Sequence, residues 1–151
     1  MNTVDATRRR SLGQRTVVVA WTLPNTALGM LAGILVLALG GRARRVGGVV
    51  EFSDGRLGTA LASLPARVRF SAMTLGHVIL GTSASELARV RAHEHVHVRQ
   101  YERWGPFFLP AYACSSAWQA LCGRRAYRDN HFERQAYAAE GDGVIGAECM
   151  E

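Results

Sequence analysis

From Thr16 to Gly41 the chain runs for 26 residues without a charged side chain. A helix crosses the hydrocarbon layer of a bilayer with roughly 20 apolar residues, so this run is long enough to span one. Pro24 interrupts it, and proline is best tolerated in a first helical turn, where its missing N–H would have no partner anyway. A helix is therefore expected to start near Pro24 and continue through Leu39, with Gly40 and Gly41 ending it. A cleaved signal peptide is the competing reading. Its apolar stretch is usually ~7–15 residues long, shorter than this one, and no small-x-small site follows. The expectation is a retained membrane anchor over 16–41, preceded by a basic mobile tail over 1–15 with Arg8, Arg9, Arg10 and Arg15. Arg42, Arg44 and Arg45 balance that charge on the other side, so the positive-inside rule gives no orientation.

What remains, 42–151, is one domain's worth of chain and is large enough to hold a core without staples. The net charge of +6 comes from 18 arginines and no lysine. They are spread along the chain and no nucleic-acid module signature accompanies them, so anionic lipid headgroups are the expected partner and nucleic acid is not. Three cysteines, Cys114, Cys122 and Cys149, are too few and odd in number for a disulfide framework. Cys114 and Cys122 lie in an apolar stretch, where cysteine behaves as a small hydrophobe.

After the anchor comes a β-like region. Val46 to Phe52 is rich in valine and is followed by the turn residues Ser53-Asp54-Gly55. Arg67-Val68-Arg69-Phe70 alternates as a half-buried strand does, and Met73 to Leu80 is a second apolar run closed by Gly81. Two to four short antiparallel strands are expected. Ser83 with Glu86 three residues on makes a capping box, predicting a helix from there to about Trp104, where Gly105-Pro106 stops it.

That helix carries His93-Glu94-His95-Val96-His97, an HExxH pattern. Residues four apart share a helix face, so His93 and His97 can reach one ion. Zinc favours such nitrogen ligands and keeps a position for water in catalytic sites. Glu94, one step round the helix, is placed to take a proton from that water. At about 100° per residue, Leu87, Val90, His93, Glu94, His97, Gln100, Tyr101 and Trp104 fall on one side, and Arg91, His95, Arg99 and Glu102 opposite. His95 is thereby placed with the arginines on the solvated face and left out of the site.

A catalytic zinc needs a third protein ligand. The HExxHxxGxxH arrangement is ruled out, because Gln100 and Arg103 stand at its Gly and His positions. A Glu on a later helix is the other solution, and Asn130-His131-Phe132-Glu133-Arg134-Gln135-Ala136 offers Glu133. Asn130 as N-cap with Glu133 three residues on is also an ordinary capping pair, so both roles stay open for Glu133. Glu140 and His131 are reserves. Tyr101, Tyr127, Tyr137 and His77 could each donate to an oxyanion, and Asp129 could orient a ligand histidine. Packing or capping is the ordinary role of all five.

The stretch from Ser83 to Glu140 resembles the gluzincin class of zinc peptidases. It is most similar to short bacterial membrane-anchored forms, minigluzincin-like, in which HExxHxxQ precedes a hydrophobic segment and an ExxA helix. The matching residues are His93, Glu94, His97 and Gln100, then Glu133 and Ala136. Tyr137 stands where the family has Asp. The resemblance covers little more than a third of the chain. It implies Zn2+ held by His93, His97 and Glu133, Glu94 as general base, a peptide or protein substrate, and the bacterial inner membrane as location.

Gly105 to Gly123 gives 19 further uncharged residues. A full crossing there would strand Glu133 across the bilayer from the two histidines, so this segment must pack on the domain, lie in the interface or turn back. The expected whole is an α+β chain: an apolar membrane helix, a small antiparallel sheet, the HExxH helix, an apolar helix and a Glu-bearing helix. A membrane-anchored zinc peptidase is the function expected, with a non-catalytic zinc- or partner-binding protein of the same fold as rival. A carboxylate-bridged di-iron site would need a second E-x-x-H, which is missing because Ala136 follows Glu133 at that spacing.

Overall fold

The computed structural model of the chain describes residues 12–65 and 70–148, with side chains for 16–65 and 70–139. Of the mobile tail expected over 1–15, residues 1–11 lie outside the described residues, while 12–15 belong to the first helix, which corrects the tail's end. Arg67-Val68-Arg69 of the alternating segment and Cys149 also lie outside the described residues, and Phe70, which closes that segment, is not in a strand.

Helix α1 runs from Leu12 to Ala38 with Pro24 inside it, so the expectation of a start at Pro24 is corrected. One missing N–H is a local cost, and tertiary packing on both sides of the proline outweighs it: Thr22 and Asn25 are both buried. The C-terminus is as expected. The Gly40 N–H reaches the Leu37 carbonyl and the Gly41 N–H that of Val36, with Gly40 at φ +83°, a Schellman ending that favours glycine.

Strand β1 (Arg42–Val46) turns through Gly47-Gly48 into β2 (Val49–Ser53). Both glycines have positive φ, as a two-residue hairpin turn demands, so the valine-rich run is split between two strands. Ser53-Asp54-Gly55 leads into an unexpected short helix, α2 (Gly55–Ala62). The second apolar run is also a hairpin, β3 (Ala72–Leu75) and β4 (Val78–Gly81), turning at Gly76.

The sheet order is β1-β2-β4-β3, and β2 pairs with β4 in parallel. The sheet is thus mixed rather than antiparallel throughout. After α2 the chain enters the sheet at the outer strand β3, which runs antiparallel to β4 and so brings the chain back to the end from which β4 can lie parallel to β2. Alternation sorts the strand residues onto two faces. Phe52 and Val78 pack with Val36 of α1, while Val49 and Ile79 pack with Leu87 and Val98 of the next helix.

That helix, α3 (Ala84–Trp104), begins where the capping box placed it: the Ser83 hydroxyl accepts the Glu86 N–H at 3.2 Å. A single 3-10 turn, Gly105–Phe107, leads to α4 (Phe108–Leu121), and α5 (His131–Glu148) returns against α3. Of the alternatives for the second uncharged stretch, packing on the domain is the one seen: Phe108 is buried with Tyr101 and Phe132, and Tyr112 packs against them. Among the described residues one helix, within α1, is long and apolar enough to cross a membrane, as a signal sequence or a core helix can also be.

Candidate metal centre

The α3 wheel orients most of its residues correctly, and tertiary contacts change the rest. Arg91 forms a bidentate ion pair with buried Glu51 on β2, at 2.8 and 3.0 Å. His95 is half-buried over the Gly47 turn, not solvated, because the β1–β2 hairpin leans on that side of the helix. Trp104, placed inward by the wheel, is exposed at the helix end.

His93 and His97 point from α3 towards α5, and their Nε2 atoms lie 3.1 Å apart. Glu133, in the first turn of α5, meets them from the other side. Its Oε2 is 3.3 Å from His93 Nε2, and its Oε1 is 3.3 Å from His97 Nε2. A tetrahedral ion with bonds of about 2.0–2.1 Å holds its ligand atoms about 3.3–3.4 Å apart. The triangle seen here has edges of nearly that size. All three side chains are buried, Glu133 being only 2% exposed. Among the described residues its Oε2 has no hydrogen-bond partner, which is costly for a buried carboxylate oxygen unless a cation takes it. The three residues thus form a buried group that could bind a metal ion.

Capping does not claim Glu133. Asn130 caps α5, its Oδ1 accepting the Phe132 N–H at 2.9 Å, and the Ser115 hydroxyl accepts the His131 N–H at 3.1 Å. Its amide nitrogen donates to the Tyr112 carbonyl and the Ser116 hydroxyl, fixing the start of α5 against α4. Phe132 and Ala136 are buried beside the ligand. The reserve His131 instead contacts Gln135 at the surface, and the Glu140 side chain is not described.

Neighbours orient the donors. The Gln100 amide oxygen lies 2.8 Å from His97 Nδ1, so Nδ1–H is the donor of that contact, and the neutral ring turns its Nε2 lone pair to the triangle. The Gln100 amide nitrogen donates to the Phe132 carbonyl and to Gln135, linking α3 to α5. The Tyr137 ring packs edge-on against His93, with centroids 4.8 Å apart. Asp129, considered above as an orienter, instead pairs with Arg125, which lowers its pKa.

Burial opposes ionisation of Glu133, yet contacts with His93, His97 and Tyr112 hold its pKa far below the usual carboxylate range. For His97, burial disfavours the charged ring, but Glu133 and Gln100 outweigh it and raise the pKa. Glu94, 6% exposed, lies one step round α3 and accepts the Thr74 hydroxyl at 2.6 Å. Burial pushes its pKa up and Thr74 partly opposes this. A carboxylate with a raised pKa beside a candidate metal centre suits a proton acceptor.

Two contributors were not anticipated. The Tyr112 hydroxyl donates to Glu133 Oε1 at 2.7 Å, and Thr74 on β3 holds Glu94. In sequence, Tyr112 is one aromatic among several in an apolar run and Thr74 an ordinary strand residue. Of the tyrosines named from sequence, Tyr101 is core, packed on Phe108 at 4.3 Å. Burial, with Glu133 nearby, raises the pKa of Tyr127. His77 is elsewhere, between Thr22 and Glu102.

No protein-family model, curated protein or solved structure matches the chain. What the centre can do has to be argued from its geometry.

Proposed function

We propose that the chain is a membrane-attached, zinc-dependent peptidase, with His93, His97 and Glu133 as ligands and Glu94 as general base. The observation that carries this reading is the triangle of two neutral-capable imidazoles and one carboxylate with a buried, unpartnered oxygen. Two nitrogens and one oxygen form a donor set that zinc accepts while leaving a fourth position open. A zinc ion held there would supply Lewis acidity, for activating water near neutral pH and polarising a substrate carbonyl. Glu94 takes the proton, its affinity raised by burial. Gln100 keeps His97 in the ligating tautomer, Tyr112 steadies Glu133, and Thr74 fixes the base. The peptide substrate comes from the resemblance to gluzincins.

A second reading, zinc binding without catalysis, is favoured by one observation. None of the four site residues is more than a tenth exposed, and Tyr112 of α4 covers Glu133.

Elemental analysis and peptide turnover on the full chain separate the two. One equivalent of zinc, lost in a His93→Ala/His97→Ala double variant, with turnover abolished but zinc kept in Glu94→Gln, supports the peptidase. Zinc bound without turnover supports the second reading, and no bound zinc overturns both.

A further inference from the structure

Helix α1 is inside out for a helix on a water-soluble domain. Its polar residues face the protein: Thr22 contacts His77 Nδ1, Thr26 accepts the His77 N–H, and Asn25 donates to the Gly105 carbonyl. Gly29 and Gly33 continue that stripe, close against Val78 and Phe52. The opposite side carries Val17, Leu23, Leu28, Leu31, Ile34 and Leu35, each more than half exposed. A helix facing water shows the reverse order.

At about 100° per residue, the inward residues occupy roughly a third of the circumference, and the exposed apolar ones, with Val19, Trp21, Met30 and Leu37 added, more than half. One partner helix covers a stripe, whereas a lipid phase surrounds whatever the protein leaves bare. The apolar surface also continues beyond α1. Trp21 lies against Phe107, with ring centroids 6.0 Å apart, and α4 exposes Trp118 and Leu121. Exposed arginines flank the surface: Arg56 near the C-terminal end of α1, and Arg124 and Arg125 after α4. Such a rim suits anionic headgroups.

The sheet packs along α1 from Thr22 to Val36. If α1 crossed a bilayer, it would carry the sheet and α3 into hydrocarbon, with Arg89, Arg91 and Arg99 at depths where charge is costly. We propose that α1 lies in the plane of an anionic bilayer, its outer face and the apolar side of α4 in the acyl layer, both its ends on one side. This rests on the membrane half of the proposed function and not on zinc.

The test uses the full chain, purified in mild detergent and added to preformed phosphatidylcholine/phosphatidylglycerol vesicles. Single-tryptophan variants keep Trp21, Trp104 or Trp118, with the others changed to Phe. Acyl-brominated lipid should quench Trp21 and Trp118 at least severalfold more than Trp104, which lines a groove with Arg99, Arg103 and His131. In a Cys114→Ser/Cys122→Ser/Cys149→Ser background, Ser11→Cys and Arg44→Cys should both react with an impermeant maleimide before the vesicles are lysed. If one reacts only after lysis, α1 crosses the bilayer and the in-plane arrangement falls while membrane attachment stands. Quenching of Trp21 without Trp118 overturns the role of α4. No quenching, with dimers in sedimentation, means that a second copy covers the face, and the membrane half of the proposed function falls too. Zinc content, measured in parallel, is independent of all four outcomes.

Discussion

The Tyr112 hydroxyl donates to Glu133 Oε1 at 2.7 Å, joining an otherwise lightly packed apolar helix to the carboxylate of the candidate metal triangle. Groups that hydrogen-bond a metal ligand typically account for 10–100-fold in affinity. Tyr112→Phe should therefore weaken zinc binding by about 10-fold or more while the fold persists. Competition with a chromogenic chelator measures this. An unchanged dissociation constant would mean that Tyr112 only covers the site.

Stability against pH should differ in shape between metal-free and zinc-loaded protein. Glu133 has its folded pKa lowered from 4.5, so its contribution is present above that pH and lost as pH falls through the folded value. Glu94 and His97 have folded values raised from 4.5 and 6.5, so their contributions are complete below those and lost as pH rises through the folded values. Metal-free protein should be most stable near pH 4.5, where the Glu133 contribution is already present and those of Glu94 and His97 are not yet lost, and should weaken as pH rises from there. Zinc requires neutral imidazoles, so the Tm gap between loaded and stripped protein should widen from about pH 5.5 to about 7.5. Thermal scans across that range check it, and a constant gap would contradict the ligand assignment.

Thr74→Val removes the donor that partly offsets the effect of burial on Glu94. The pKa of the base should rise, and the acid limb of the kcat/KM profile for peptide hydrolysis should move to higher pH, with zinc content unchanged. Should only the plateau fall, Thr74 serves packing rather than proton transfer.

Close approach of α1 to the sheet depends on Gly33, where a Cβ would lie 2.3 Å from the Phe52 ring. Gly33→Ala should lower stability by about 1–3 kcal/mol, the usual cost of overpacking. Leu31→Ala, on the exposed side, should change it little. Thermal unfolding in mild detergent, followed by circular dichroism, distinguishes them. Equal effects would mean that α1 is not seated as described.

Local signals carried far in this chain. The capping box at Ser83, the glycine ending of α1 and the i, i+4 pair His93/His97 are written in neighbouring residues, and short-range hydrogen bonding and helix periodicity fix them wherever the domain places them. The two hairpins were harder to see, because Gly47-Gly48 and Gly76 sit inside runs that otherwise continue as strand. The short helix α2 has no cap box or long periodic stretch to announce it.

Sequence by itself determined that a helix presents two imidazoles on one side and that an uncharged helix precedes it. Only the tertiary structure decided that Glu133 leaves its cap to Asn130 and joins them, that Tyr112 rather than Tyr101 reaches the carboxylate, and that β4 lies parallel to β2. It also decided which side of α1 faces protein. Helix and turn signals act over a few residues. Convergence of α3, α4 and α5 brings together residues tens of positions apart, and no local periodicity records which side chains will meet.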